Sequence, residues 1–252
     1  MKKAIILAAA ALFCVTGIDV QAQKQIGGDK NIEFQFAPLG GNPISISGIR
    51  FRTFLDESSA FRVNFFVGSS TDKTVTSQEG DLSIEDPTSP ALYMYDRTFD
   101  LTIRPGYEIH FDGTDRLSPY IGAEIDFGIG RMSTEQEFWS PNDIDNVFEL
   151  DKNVVWTQTD KDGFTRIGLN LLAGFDFYFA DNIYLGAEMG FGFSSTSMAD
   201  STVEFSDNAA WSLAASGGTD AELDPPAAIE NGSSFNVGPT VNGLIRLGFL
   251  IN

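Results

Sequence analysis

Alternation of apolar and polar residues constrains this sequence more than any other feature. From Phe99 to Phe111 and from Ile167 to Phe179, apolar side chains occupy almost every second position. Successive side chains of a β-strand point to opposite faces, so a period of two over this length predicts strands and excludes helices. The chain is therefore expected to fold as an all-β protein.

The same reasoning predicts eight strands, at residues 30–37, 44–55, 60–70, 97–111, 118–131, 163–180, 182–194 and 236–252. Short turns follow the second, fourth and sixth strands, whereas 26, 31 and 41 residues follow the third, fifth and seventh. The phase of the second strand changes at Gly48, where we expect a β-bulge. Alternating short and long connections predict an eight-stranded antiparallel up-and-down barrel.

The polar face of these strands distinguishes a soluble barrel from a transmembrane one. In a soluble sandwich or a lipocalin-like barrel, the apolar face forms the core and the polar face meets water. Here the polar face mixes charged residues with many glycines, which weaken a solvated strand but make room for long side chains inside a narrow barrel. We expect a transmembrane β-barrel with its polar face inward, and a soluble lipocalin-like protein is the weaker alternative. Aromatic residues near the strand ends, such as Tyr120 and Tyr184 on the short-turn side, fit two interface girdles.

Charged residues on the predicted inner face form a candidate network, which consists of Arg50, Arg62, Arg104, Glu108, Glu124, Asp126, Arg166, Asp176, Glu188 and Arg246. Charges in a dry interior must be paired to be tolerated. We expect Arg104 to pair with Glu124 or Asp126, and Arg246 to pair with Glu188. An eight-stranded barrel has room for side chains and little else, so the network predicts a plugged lumen. A selective path for cations or small solutes is the alternative, because ionisable residues within membranes are often functional.

The N-terminal residues predict export from the cytoplasm. Lys2 and Lys3 precede an apolar run that ends at Val15, and the small residue Ala22 stands before Gln23. This order is typical of a secretory signal peptide, and the apolar run is too short for a retained membrane anchor. We expect residues 1–22 to be a signal peptide and residues 23–252 to form the barrel.

Few side chains could carry out chemistry. The only cysteine, Cys14, lies in the predicted leader after Phe13, where lipoprotein processing needs a small residue. Neither lipidation nor thiol chemistry is therefore expected. The only histidine, His110, is predicted at the short-turn end of its strand, with no partner suggested for proton transfer. We expect no enzyme, and no catalytic, cofactor-binding or metal site.

Acidic residues are concentrated in three long connections. Residues 71–95, 132–162 and 195–235 carry net charges of −4, −6 and −7, which is most of the chain's −19. A surface of this sign disfavours nucleic acid as a partner. Oxygen ligands at 143–146 raise a calcium site as an alternative, but the glycine of the twelve-residue calcium loop is missing. We interpret these stretches as solvated, mutually repelling loops.

The hairpin from Ile49 to Gly68 and the closing strand from Leu244 to Asn252 resemble the outer-membrane β-barrel domain family, the small OmpA-, OmpX- and OmpW-like barrels of the Bacteroidetes type. The resemblance covers essentially the whole mature chain by pattern, although Asn252 stands where the family ends in an aromatic residue. It implies a monomer in the outer membrane of a Gram-negative cell, with short periplasmic turns and long extracellular loops. Implied partners are membrane lipid and lipopolysaccharide, the barrel-assembly machinery during biogenesis, and an extracellular partner at the acidic loops.

Two functions are compatible with this resemblance. The first is a structural protein of the cell envelope that displays its loops for surface interaction around a plugged lumen. The alternative is a narrow, porin-like channel for small or apolar solutes, as the OmpW-like barrels imply. No peptidoglycan-binding domain follows the last strand, so tethering of the membrane to the cell wall is not implied.

Overall fold

The protein is described by a computed structural model over residues 24–36, 46–77, 91–144, 147–217 and 223–251. Its elements are β1 (Lys30–Phe36), β2 (Ile46–Asp56), β3 (Ser59–Ser77), β4 (Leu92–His110), β5 (Leu117–Ile144), β6 (Val147–Ala180), β7 (Ile183–Met198), β8 (Thr202–Phe205), α1 (Asn208–Ala215) and β9 (Ser233–Ile251). The predicted signal peptide lies outside the described residues, so the cleavage site before Gln23 stays a prediction.

Eight of these strands pair antiparallel to their neighbours in a closed ring. The ring runs from β1 through β7 in chain order, continues to β9, and closes where β9 pairs with β1. At that closure Lys30 is opposite Ile251 and Phe36 is opposite Ile245. The predicted all-β, antiparallel up-and-down order is confirmed. The additional strand β8 pairs with β6 beyond the ring.

The two faces of the ring differ in polarity as the alternation predicts. On β6, Leu171 exposes 61% of its surface, whereas its neighbour Asn170 exposes 3%. On β2, Phe51 is 48% exposed and Arg52 is 1% exposed. Large apolar side chains therefore point outward from the ring, and charged side chains fill its interior.

Strands β5 and β6 extend far beyond their predicted limits. The prediction ended the fifth strand at residue 131 and began the sixth at 163, but the two strands pair as far as Ile144 and Val147. The alternation breaks down over this extension, where Val154, Val155 and Trp156 stand in consecutive positions. Backbone hydrogen bonds are nevertheless enough to continue an antiparallel ladder. The prediction of a loop at 132–162 was therefore wrong.

The third acidic connection, at 195–235, also contains regular structure that was not predicted. It holds the end of β7, the short strand β8 and helix α1. The carboxylate of Asp207 begins α1, because it accepts hydrogen bonds from the backbone N–H groups of Ala209 and Ala210. This is the capping arrangement that satisfies otherwise unpaired donors at a helix N-terminus.

Turns and irregularities fall at the short-turn end of the ring and at the predicted bulge. Between β1 and β2, Gln35 is opposite Gly48 but Phe36 is opposite Ile46, so one residue of β2 is unmatched. This confirms the bulge predicted at Gly48. The β2–β3 turn is held by Ser58, whose backbone N–H and hydroxyl donate to Asp56 at 2.8 Å. In the β6–β7 turn, Asn182 has a φ of 62°.

We expect the stability of Asn182 variants to depend on how well the new residue adopts that left-handed conformation. Asn182→Val should lower the free energy of unfolding by about 1–2 kcal/mol, since a β-branched residue is strained at positive φ. Asn182→Gly should change it little, because glycine adopts this conformation freely. Denaturant unfolding of both variants checks this, and equal stability of the two variants would contradict it.

Candidate functional site

The interior of the ring holds six arginines and six carboxylates joined by ion pairs. We call this set the interior network, and it consists of Arg50, Arg52, Arg62, Arg104, Arg166, Arg246, Glu33, Glu108, Glu124, Asp126, Asp176 and Glu188. Their formal charges cancel. This balance is what a poorly solvated interior requires, because an unpaired buried ion is strongly destabilising.

Arg62, on β3, contacts three carboxylates. Its Nη1 lies 2.7 Å from Glu108 Oε1 and 2.8 Å from Glu188 Oε2, and its Nη2 lies 2.9 Å from Glu124 Oε2. These partners come from β4, β7 and β5, so the contact to Glu188 crosses the ring. Arg62 itself is fully buried. A guanidinium with five donors in a planar fork suits such multiple contacts better than the single ammonium of lysine.

Glu33, on β1, is the carboxylate that contacts three arginines. Its carboxylate lies 2.7 Å from Arg52 Nε, 3.0 Å from Arg246 Nη1 and 3.3 Å from Arg50 Nη1. These arginines come from β2 and β9, the two neighbours of β1 in the ring. Tyr184 also donates a hydrogen bond to Glu33, at 2.7 Å. The seam where the ring closes is therefore joined by ion pairs as well as by backbone hydrogen bonds.

Three further ion pairs connect this seam with the opposite wall. Arg52 Nη1 lies 2.8 Å from Glu108, and its Nη2 lies 2.7 Å from Asp176. Arg50 Nη2 lies 2.9 Å from Glu188, which also accepts a hydrogen bond from the hydroxyl of Tyr120. Each of the eight ring strands thus contributes at least one charged residue to the network.

Close packing makes room for these side chains at glycine positions. A Cβ added to Gly248 would lie 2.0 Å from the ring of Tyr184, and one added to Gly186 would lie 2.5 Å from Arg246 Nη2. Real Cβ atoms do not approach other atoms so closely, so the large side chains occupy the space above these glycines. The glycines of the inner face therefore serve packing, as the sequence predicted.

The network is less buried at the end that carries the long connections. There Asp126 pairs with Arg104 at 2.9 Å and with Arg166 at 3.3 Å. The two arginine side chains are 31% and 24% exposed, whereas the four deeper arginines are at most 1% exposed. Arg104 and Arg166 line a cavity of about 200 Å³ together with Thr102 and Asn64.

The opposite end of the interior is covered by the segment before β1. Gln25 is 3% exposed, donates to Ser118 at 2.8 Å, and accepts a hydrogen bond from Tyr178 at 2.8 Å. His110 lies beside it, with Nδ1 2.9 Å from the Ser118 hydroxyl and Nε2 3.2 Å from Glu108. The expectation that His110 has no partner in reach was therefore wrong.

This serine, histidine and glutamate contact one another in the order used by hydrolases, but their burial is that of a packed core. Ser118 and Glu108 are fully buried, and the same Glu108 oxygen that faces His110 also accepts a hydrogen bond from Arg52 at 2.8 Å. Acyl transfer requires that a substrate carbonyl reach the hydroxyl. We therefore assign these contacts to packing of the interior.

All ten residues of the predicted network point into the ring, but one predicted pair is wrong. Arg104 pairs with Asp126, one of its two expected partners, while Glu124 pairs with Arg62. Arg246 pairs with Glu33 and Asp176, and Glu188 pairs with Arg50 and Arg62. The reason is that Arg246 is opposite Gly186, which is in turn opposite Asp176, so Arg246 reaches across a position without a side chain.

Four residues of the interior were not predicted from the sequence as part of this cluster: Glu33, Arg52, Tyr120 and Tyr184. The alternation on β1 and β2 carries the signal for the first two, since Glu33 stands between Ile32 and Phe34. Tyr120 and Tyr184 were expected in an interface girdle, yet they are buried in the interior and donate to network carboxylates. Tyr120 and Tyr184 stand at even positions, as Glu124 and Glu188 do on the same strands. This shared parity could have predicted that both tyrosines face the interior.

Metal and membrane-helix features are absent from the residues described. Within them, no group of three or more His, Cys, Asp or Glu side chains could hold a metal ion. No helix in those ranges is long and apolar enough to cross a membrane. Asp145 and Asn146 of the calcium alternative lie outside the described residues.

Comparison with solved structures finds alignments over most of this chain, at low sequence identity and low structural similarity. Acinetobacter baumannii CarO2 and CarO each align with 90% of this chain, at 10% identity and a TM-score of 0.36, and the alignments cover 100% and 98% of those chains. No protein-family model matches this chain, and no curated protein does.

Replacing Arg62 and Arg104 separately tests whether the deep part of the network carries the stability. Arg62→Ala leaves three buried carboxylates short of a partner and should lower the free energy of unfolding by about 3–5 kcal/mol. Arg104→Ala removes the same side chain from the half-exposed end and should lower it by about 1 kcal/mol or less. Urea unfolding of the two variants beside the wild type measures the difference. Similar losses in both variants would contradict the distinction.

Proposed function

We propose that the mature chain is an integral protein of a Gram-negative outer membrane, and that its ring of strands crosses the bilayer. One observation carries this proposal: the exposed surface of the ring is apolar while its interior is charged. Outward-facing side chains that are between 37% and 69% exposed include Phe51, Phe61, Phe65, Ile121, Ile125, Phe127, Ile129, Ile167, Leu169, Leu171, Phe175, Met189, Phe191, Phe193 and Ile245. Water-soluble proteins rarely expose a continuous apolar surface of this extent.

The height of this apolar band fits a bilayer. On β5 every outward residue from Ile121 to Ile129 is apolar, and on β7 the same holds from Ile183 to Phe193. These are spans of nine and eleven residues, which match the roughly 9–11 residues of a tilted transmembrane strand. Polar residues follow on the outward face at the long-loop end, beginning with Arg131 on β5 and Ser195 on β7.

We assign the interior network the role of fixing the ring and blocking it to ions. An ion on the axis would have to displace several side chains that are at most 3% exposed and mutually paired. Since each deep arginine has two or three carboxylate partners, opening a path would leave charges unpaired in a dry interior. A structural barrel with a plugged lumen is favoured by this packing over the alternative of a narrow channel.

The long hairpin of β5 and β6 supplies the surface that would meet other molecules. Beyond the ring its aromatic side chains form a small core with those of β8 and α1. Phe138 stacks on Trp156 with ring centroids 4.8 Å apart, and Phe205 stacks on Trp211 at 4.6 Å. This core gives the acidic outer part a defined shape, which is what display for surface interaction requires.

Arginine substitutions on β6 test the membrane assignment. Leu171→Arg, in the middle of the apolar band, should lower the free energy of unfolding in phospholipid bilayers by about 2–4 kcal/mol. Leu150→Arg is the matched control, because Leu150 is also exposed (44%) but lies beyond the ring near the hairpin tip, and it should have almost no effect. The wild type should require detergent for solubility. A detergent-free soluble monomer, or equal effects of both substitutions, would refute the proposal.

Planar-bilayer recordings test the plugged lumen. The wild type should be electrically silent, whereas Glu188→Ala, which removes a carboxylate shared by Arg50, Arg62 and Tyr120, should admit water and allow small currents. Arg104→Ala at the half-exposed end should stay silent. Steady, sizeable wild-type currents would instead favour the channel for small solutes.

A further inference from the structure

Three basic residues outside the interior network lie together on the outward face of the ring. They are Arg97 on β4, Arg131 on β5 and Lys161 on β6. In the ladders Arg97 is opposite Ser133, and Ser133 is opposite Lys161, while Arg131 is opposite Phe99. The three residues therefore lie on three adjacent strands, and their positions along the strands differ by at most two residues. We call this group the basic patch.

The patch stands directly above the apolar band. Its residues have the same parity along their strands as the exposed Phe99, Ile129 and Ile167, and the ladders contain no register shift between them. Arg131 follows Ile129 by two residues, which is the next outward position. The bases are thus placed where the proposed bilayer passes from hydrocarbon to headgroups.

The surface around the patch is concave. Two depressions, of about 430 Å³ and 370 Å³, are both lined by Arg131, Lys161 and Asp162. The first also contacts Ile129 and Phe164, and the second contacts Arg97, Phe99 and Met132. Each depression therefore combines an apolar side next to the band with basic groups above it, and each has the volume of a small-molecule site.

The bases are available to an external anion. Arg131 has no ion-pair partner among the residues that the structure describes. Arg97 pairs with Glu135 at 3.3 Å, and Lys161 pairs with Glu204, but these are partly exposed surface pairs. Such pairs contribute little, so a phosphate can replace the carboxylate at small cost. In the first depression Arg131 and Lys161 face two carboxylates, Asp162 and Asp200. The second depression is lined by all three bases and by Asp162 as its carboxylate, so it is the one with an excess of positive charge.

These bases stand out in an acidic chain, and they lie on only one side of the ring. The chain has a net charge of −19, and the outward positions farther along β5 are acidic, at Glu135 and Glu137. On the other side of the ring, the outward residues of β7 above Phe193 are Ser195 and Ser197. A charge pattern confined to one membrane-facing site points to a localised anionic ligand, and not to a general attraction to the bilayer surface.

We infer that the basic patch binds the phosphate groups of a phosphorylated glycolipid of the outer leaflet, the lipid A type of headgroup. The arginines offer paired donors to phosphate oxygens, and Lys161 adds a mobile positive charge. The acyl chains of the same lipid would lie along Phe99, Ile129 and Ile167. This inference rests on the proposed membrane function, because only a bilayer places such a lipid beside the patch.

Native mass spectrometry of the full chain in detergent tests this inference with added bis-phosphorylated lipid A. The wild type should retain it at least about tenfold better than R97Q/R131Q/K161Q, because each base near a membrane surface contributes appreciably to binding of an anionic headgroup. Lys30→Gln is the control, since Lys30 is exposed at the opposite end of the ring, and it should bind as the wild type does. Dephosphorylated lipid A should bind the wild type and the triple variant equally weakly.

The outcomes separate this inference from the proposed function. A wild type that folds in detergent but binds both forms of lipid A equally would refute the lipid site and leave the membrane barrel standing. Displacement of bis-phosphorylated lipid A by excess inorganic phosphate would identify a free-anion site and also refute it. A wild type that does not need detergent would refute the proposed function itself. Heat-modified migration of the triple variant on gels, as for the wild type, shows that it has folded.

Discussion

Ion pairs between arginine and carboxylate across the ring interior are the interaction on which the remaining structure depends. Removing an ion from water costs several kcal/mol, and the attraction to a partner offsets this only when the geometry is good and the remaining hydrogen bonds are satisfied. Arg62 and Glu33 each have three oppositely charged partners, at 2.7–3.3 Å. Because their partners lie on different strands, no strand can leave the ring without stranding a charge.

The same pairs fix the register of the strands. A slip of one residue would exchange the two faces of a strand, so that Arg50 and Arg52 would point outward and Phe51 inward. The two-residue slip that keeps the faces would move each charge about 7 Å along the strand, beyond the reach of its partner. Gly186 and Gly248 add a steric condition, since Arg246 and Tyr184 fit only above positions without a Cβ. The interior therefore selects one register among those that the apolar alternation alone would allow.

The sequence determines the faces of this ring more directly than the partners within it. Alternation was enough to place Arg62 and Glu188 inside, and the same rule applied to β1 and β2 would have placed Glu33 and Arg52 there. The Arg246–Asp176 pair could not be foreseen, because it depends on the stagger of three strands and on the space above Gly186. The long β5–β6 hairpin was missed for a different reason: beyond the ring its apolar residues, such as Val154, Val155 and Trp156, follow no period of two, so the alternation rule gives no signal there.

The separation of charge between interior and surface explains how one chain can be so acidic and still hold six arginines in its core. Within the network positive and negative groups are equal in number, so the excess negative charge lies on the outer connections and turns. Those outer acidic residues repel one another and cannot form a core of paired charges. The packing there comes from aromatic side chains instead, with Trp156 stacked on Phe138 and Trp211 stacked on Phe205. The basic patch lies between these two regions, where an anionic headgroup would otherwise meet the acidic residues of β5 alone. In the proposed bilayer, a barrel with this distribution would carry its acidic surface away from the membrane and keep one cationic contact with it.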